Sequence, residues 1–332
     1  MREGKAFFVS PTRWRAAGAL AAIVLLLLIL NALNVANSYV GRNFITAIAQ
    51  RDQGQYFRFA VFYVGVFAAS TFIGVFQQFI EDRLALSWRA WLTQHLIDRY
   101  LSGRTFERVS AKKDIDNPDQ RIAEDVRTFT STLLSFVVML TNAALTTVAF
   151  AGVLWSITPL LLVAAVLYAA LGSVFTILLG YRLVALNNLQ LTKEADLRYE
   201  LIHVRERGAL VNVRATSQSA RRVRGRLRRV IRNSRATIGV ARNVGFFISG
   251  YNYLVQILPI LIVTPLYLRG TIQFGVVTQS AMAFSQLLGA FSLIVAQFQS
   301  ISAFATVIRR LGLLWEEMDA TDKDFGIVMG AA

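Results

Sequence analysis

Apolar and polar positions alternate along this chain in long blocks. Six runs of membrane length carry almost no charge, at about 16–39, 58–80, 129–154, 159–181, 243–265 and 276–300. Roughly 20 apolar residues cross a hydrocarbon layer as a helix, so each run reads as one span. The first holds AAGALAAIVLLLLIL and ends in NALNVANSYV, which lacks a small-residue cleavage pattern and reads as a retained helix. A short segment, GRNFITAIAQRDQGQY, links it to the second.

Beyond Ile80 the helical spacing continues. Leu84, Trp88, Trp91, Leu92 and Leu96 share one side of an amphipathic extension, with charges on the other and Gly103 as a stop. The link 104–120 contains the breaker Asn117-Pro118, where Asp116 or Asn117 caps a new helix with Pro118 at its first position. The hairpin WSITP joins the third run to the fourth, which starts at Pro159 and continues into TKEADLRYELIHVRE. Pro259 is expected to bend the fifth helix. The sixth is expected as one helix, Val276–Val307, running on into IRRLGLLWEEMDATDKD. The predicted fold is therefore an all-α polytopic membrane protein with six spans. Around them lie a polar segment 1–15, long polar helical excursions at 81–128 and 182–242, and a tail at 319–332.

Charge orients this pattern. Of the 35 Lys/Arg residues, 31 fall in 1–15, 81–128, 182–242 and 301–332, and only Arg42, Arg51, Arg58 and Arg269 lie on the other side. By the positive-inside rule both termini and both excursions are cytoplasmic. The net charge of +15 and the mean hydropathy of +0.48 suit a membrane protein. The run Arg221–Arg235 could touch anionic headgroups or an acidic partner, but no nucleic-acid-binding pattern accompanies it.

The chemistry available is narrow. There is no cysteine, and two histidines do not make a metal site within one chain. No GxxxxGK[ST] loop, serine elbow or HExxH occurs, so the chain reads as no enzyme, with no cofactor of its own. The spans lack midplane Asp, Glu, Lys and Arg. Their polar side chains either join helices or line a cavity, for which Asn142, Asn252, Gln256 and Gln286 are candidates. Titratable groups gather where helices leave the membrane. Glu194, Glu200, Glu124 and His203 are the proton-coupling candidates, with Glu200, His203 and Glu206 spaced to share a face. Salt-bridged, solvated helices explain the same acids more simply, because Arg198, Arg205 and Arg207 interleave with them.

Two motifs resemble a known family. Asn117, Pro118, Asp119, Gln120 and Arg121, followed by Glu124 and Asp125, match NPDQRI-x-EDV. Glu194, Ala195, Asp196, Leu197, Arg198 and Tyr199 match EADLRY, and FGVVTQSAMAF (Phe274–Phe284) and RRLGLLWEEMD also fit. Over about 20–318 the chain resembles the membrane domain shared by SbmA/BacA-type peptide transporters, YddA-like ABC transporters and peroxisomal fatty-acyl ABC transporters. The resemblance implies an exporter-type ABC transmembrane domain, dimeric, with helices 4 and 5 crossing to the partner. It places Asn117–Arg121 at a first coupling region and the segment after Glu206 at a second. Where relatives read like VRENAESIAFYRGE, this chain has VRERGALVNVRATSQ, so Arg207, Gly208 and Val213 depart from the pattern.

The residues up to Ala332 contain no ATPase motif. The expectation drawn with the resemblance is a homodimeric, proton-coupled, SbmA/BacA-like importer of peptides or bulky amphipathic solutes in a bacterial inner membrane. One alternative is the transmembrane subunit of an ABC exporter whose ATPase domain is on a separate or truncated part, ATP being its only cofactor. The other is a membrane-anchored binding protein that transports nothing.

Overall fold

The computed structural model describes residues 13–102, 105–107, 117–207 and 213–329. Hydrocarbon offers no partner to backbone N–H and C=O groups, so a spanning segment must satisfy them internally, and the described residues are helical almost throughout. The helices are α1 (Arg13–Gln50), α2 (Gln53–Leu101), α3 (Val126–Ile157), α4 (Pro159–Arg207), α5 (Val213–Leu268), α6 (Phe274–Ala296) and α7 (Phe298–Met329). Among the described residues, six helices are long and apolar enough to cross a membrane, the sixth of these being Phe274–Leu293.

Helix length explains the polar excursions. At 1.5 Å per residue, the 49 residues of α4 and the 56 of α5 extend about 74 and 84 Å, more than twice a ~30 Å hydrocarbon layer. Their polar ends therefore project beyond it as continuous helix, as the periodicity predicts. The α5 helix runs unbroken through Pro259.

Three boundaries differ from the sequence reading. The link after the first span is mostly helix, because α1 continues to Gln50 and the chain reverses in two residues. Arg51 adopts φ 56°, and Asp52 Oδ1 accepts the Gln55 amide at 3.0 Å, capping α2. At Asn117-Pro118 the proline does occupy the first helical turn. Asn117, however, is left-handed (φ 48°) and its side chain makes no cap hydrogen bond. A π-helical turn, Arg121–Asp125, then leads into α3. Finally, the expected single helix Val276–Val307 is two, interrupted at Gln297. Asp116 and Gly103 lie outside the described residues.

The chain divides into two compact units, 1–162 with 262–332, and Val163–Leu261. In the first, α1 packs against α2, α3 and α6, and α3 also meets α2, α6 and α7. One apolar cluster joins Ile23 and Leu27 of α1, Leu84 and Trp88 of α2, and Leu134 and Val138 of α3. A second joins Leu92 and Leu96 of α2, Ile122 and Val126, and Leu314 and Met318 of α7. Thus the residues predicted on one side of the α2 extension are its buried face.

Polar side chains fasten the same helices at depth. Asn31, buried in α1, donates to Asn142 Oδ1 at 2.9 Å and accepts the Thr146 hydroxyl at 2.9 Å, tying α1 to α3. Glu81 of α2 accepts Ser135 of α3 and its neighbour Gln77, both at 2.8 Å. Where α6 begins, the Gly275 amide donates to Thr46 Oγ1 of α1 at 3.1 Å. A Cβ on Gly275 would collide with the Arg42 carbonyl, which is backbone and cannot swing aside.

Gly275→Ala is therefore expected to cost about 1–3 kcal/mol by overpacking, read as a lowered melting temperature of the detergent-purified protein. Gly289→Ala, a helical site with open space around it, should leave the melting temperature unchanged or raise it.

Candidate functional site

The two family-like motifs sit on the charged ends of the helices, in different units. In the first unit, the NPDQR segment forms the turn that launches α3. Arg121 is 4% exposed, and its Nη1 donates to the Arg310 carbonyl of α7 at 2.9 Å. The Arg310 Nε lies 3.1 Å from Asp125 Oδ2. Burial pushes the Asp125 carboxyl above the usual carboxylate range, against the pull of the Arg310 and Arg121 guanidinium groups. This residue precedes the apolar run of α3. Nearby, Arg99 of α2 pairs with Asp319 of α7 at 2.7 Å, and its guanidinium lies 5.1 Å from the Trp315 ring centroid. His95 stacks between Trp91 and Trp315. The motif is thus clamped to α7 through Arg121 and Asp125, and Ile122 packs it against Leu92 and Leu96 of α2, which is itself tied to α7 by these ionic and aromatic contacts.

The second unit is a pair of antiparallel helical arms. Near its apolar end, Tyr168 donates to the Tyr251 carbonyl at 2.7 Å with the two rings stacked 4.4 Å apart. Gly172 makes room for the Tyr251 ring, which a Cβ there would strike. An aromatic cavity of about 350 Å³ opens between Tyr168, Phe175, Phe247 and Tyr251. Farther out, the buried Asn233 donates to the Leu186 carbonyl and to Gln190 Oε1, and accepts Lys193. At the outer end, Arg226 Nη1 meets Asp196 Oδ2 at 2.6 Å, and its Nε lies 3.7 Å from Glu200.

That pairing redistributes the predicted site residues. Asp196 and Glu200 converge on Arg226, so the EADLRY motif is a fastening between the arms. Glu194 is exposed and accepts Gln190 of its own helix at 2.8 Å, while Arg198 and Tyr199 are exposed and Ala195 and Leu197 carry no polar chemistry. The imidazole of His203 stacks on Tyr199. Glu124 is likewise exposed and accepts Gln120 at 3.0 Å, and it belongs to the other unit. The Glu206 side chain and the segment 208–212, where a second coupling region is expected, lie outside the described residues. Among the cavity candidates, Asn142 is engaged with Asn31, whereas Asn252, Gln256 and Gln286 are exposed. None of the four lines the aromatic cavity. Among the described residues no group of three or more His, Asp and Glu could hold a metal ion.

The Arg run of α5 has one clear geometric feature. Val223, Arg226, Val230, Asn233 and Thr237 face α4, whereas Arg221, Arg224, Arg228, Arg232 and Arg235 follow helical spacing on the opposite, exposed face. Arg226, Asn233 and Arg310 are the participants that sequence reasoning missed. Each meets a partner 30 to 189 positions away, and no local pattern marks such a pair.

The comparisons with known proteins agree with this architecture. Residues 5–268 match the family of ABC transporter transmembrane region 2. The chain is 38% identical over 92% of its length to ABC transporter D family member 2, chloroplastic, of Arabidopsis thaliana, covering 44% of that protein. It is 34% identical over 94% of its length to an uncharacterized ABC transporter ATP-binding protein of Synechocystis sp., covering 48% of it. A 61-residue stretch is 46% identical to the human lysosomal cobalamin transporter ABCD4, over 18% of this chain and 10% of that protein. The chain thus spans about half the length of the first two of these curated relatives. With six membrane-length helices, polar helical arms and a family match over most of its residues, the chain belongs to the ABC transporter transmembrane region 2 family and is a membrane transport domain of the exporter type.

Proposed function

We propose that this chain is the membrane half of an ATP-driven transporter, with the ATPase on a separate polypeptide or a further part of the same protein. One observation carries the reading. The similarity runs along more than nine-tenths of the chain but under half of an ABC transporter ATP-binding protein, and these residues contain no phosphate-binding loop. The arms suit that role, since continuous helices several turns longer than the membrane carry displacement from one end to the other without a hinge. The NPDQR turn and the outer ends of α4 and α5 would receive the motion. The protein works as a homodimer, which the compactness of Val163–Leu261 as its own unit supports, since a segment that crosses to a partner packs chiefly on itself.

The proton-driven SbmA/BacA-type reading has less support. Glu200, one of its candidates, shares Arg226 with the neighbouring Asp196, and among the described residues the Glu194 and Glu124 carboxylates hydrogen-bond only to a glutamine four positions earlier. The substrate is a peptide or another bulky amphipathic solute, with Asn252, Gln256 and Gln286 among the polar groups available to it. The arginine-rich ends face the cytoplasm of a bacterial inner membrane, with both termini on that side.

The energy source is tested by capturing the tagged chain from its native membrane and measuring uptake or efflux in vesicles. An ATP-hydrolysing polypeptide should accompany it, and transport should stop without ATP while surviving collapse of the proton gradient. Transport that needs the gradient and ignores ATP would overturn the assignment.

The motif residues also separate the readings. Arg121→Gln removes the charged donor to the Arg310 carbonyl and one of two guanidinium groups that offset the burial of Asp125, at an expected cost of about 1–3 kcal/mol in thermal or denaturant unfolding. Glu124→Gln alters only an exposed contact and should match the wild type in both stability and transport. A large transport defect in Glu124→Gln would favour proton coupling.

A further inference from the structure

The first helix and the start of the α2 extension leave a cleft that the transport reading does not use. Its volume is about 370 Å³, and none of its nine lining residues is acidic. Arg15 of α1 and Arg83 of α2 stand at it, above an apolar floor that includes Ala19, Ile80 and Trp91. The Ser87 hydroxyl at its edge already donates to the Arg83 carbonyl at 2.8 Å, so the two guanidinium groups supply its recognition chemistry.

The cleft continues into a lipid-length stripe. Phe72, Phe76, Phe79 and Arg83 follow the spacing i, i+4, i+7, i+11 and lie along one face of α2. The three phenylalanines are 62%, 46% and 53% exposed, and no residue of the apolar window of α2 is buried. Arg83 Cζ sits 5.6 Å from the Phe79 ring centroid, at the polar end of this stripe. From Phe72 to Arg83 the helix rises about 16 Å, close to half of a ~30 Å hydrocarbon core and thus to one leaflet.

We propose that this cleft holds one anionic glycerophospholipid per chain, with its phosphodiester between Arg15 and Arg83 and its acyl chains along the Phe72–Phe79 stripe. The pairing of cations with an apolar track of leaflet length selects this occupant. A free anion would leave the aromatic stripe uncovered, and a zwitterionic lipid would bring its own cation to two guanidinium groups. The site lies where α1 meets α2, so its occupant braces the first helix pair. The assignment is independent of the energy source proposed above.

Native mass spectrometry of the whole purified chain in detergent tests it, with phosphatidylglycerol, phosphatidylcholine and inorganic phosphate as probes. One phosphatidylglycerol should bind saturably per chain, in preference to phosphatidylcholine, and millimolar inorganic phosphate should not displace it. Charges near a membrane surface predict about fivefold weaker binding for each arginine removed, and roughly 25-fold for R15Q/R83Q. The double variant R51Q/R58Q, which loses the same charge near the start of α2, should bind as the wild type does. Equal binding of both lipids, unchanged binding in R15Q/R83Q, or an equal loss in R51Q/R58Q would overturn the proposal. Displacement by inorganic phosphate would reduce the site to one for free anions and overturn the lipid assignment. Should R15Q/R83Q fail to fold, fluorescence of the protein with both arginines intact decides. In Phe76→Trp, which puts a reporter on the stripe, phosphatidylglycerol with brominated acyl chains should quench tryptophan more than the brominated phosphatidylcholine does. Equal quenching by the two lipids would again overturn it.

Discussion

A peptide group in hydrocarbon has only its own helix to bond with, and everything else in this chain follows from that constraint. It removes loops and open strands from the spans and leaves long helices whose connections at 51–52, 158 and 269–273 fall outside the apolar runs. The α1–α2 connection shows how strictly this holds. The chain stays helical through GRNFITAIAQ and reverses at Arg51 and Asp52, with Asp52 capping the next helix. The same economy extends α2, α4 and α5 past the apolar runs without a break.

Once every span is a helix, the remaining question is how helices find each other in a medium as apolar as their side chains. Packing and a small number of polar contacts supply the answer. Asn31 with Asn142 and Thr146, Glu81 with Ser135, and the approach of Gly275 to Thr46 pin α1, α2, α3 and α6 at defined heights. In the α4–α5 unit the contacts change character along the arms. A tyrosine pair serves the apolar end, a buried asparagine the middle, and an arginine with two carboxylates the outer end. Each kind of contact suits its surroundings, since an ion pair is least costly where water reaches it.

The span count, the helical excursions and the buried face of the α2 extension were legible in the sequence, because apolar run length and 3.6-residue periodicity are local quantities. The amides and acids were harder. Asn142 reads equally well as cavity lining or as helix glue until Asn31 is seen beside it. Glu200 and Asp196 read as titratable groups until Arg226, on the other arm, is placed against them. The last span was expected to continue unbroken, and no residue pattern in 276–307 marks the interruption at Gln297.

The amino-acid sequence by itself determined that this is a six-span helical membrane protein, which ends carry the positive charge, and where its motifs lie. Those properties depend on composition within one helix or one membrane thickness. Only the tertiary structure decided which polar side chains are fasteners and which face outward. It also decided that the NPDQR turn is clamped by α7 and that two arginines meet over an apolar cleft between α1 and α2. These depend on side chains brought together from distant positions, and the register between two packed helices is set by the fit of their surfaces rather than by the order of residues in either one.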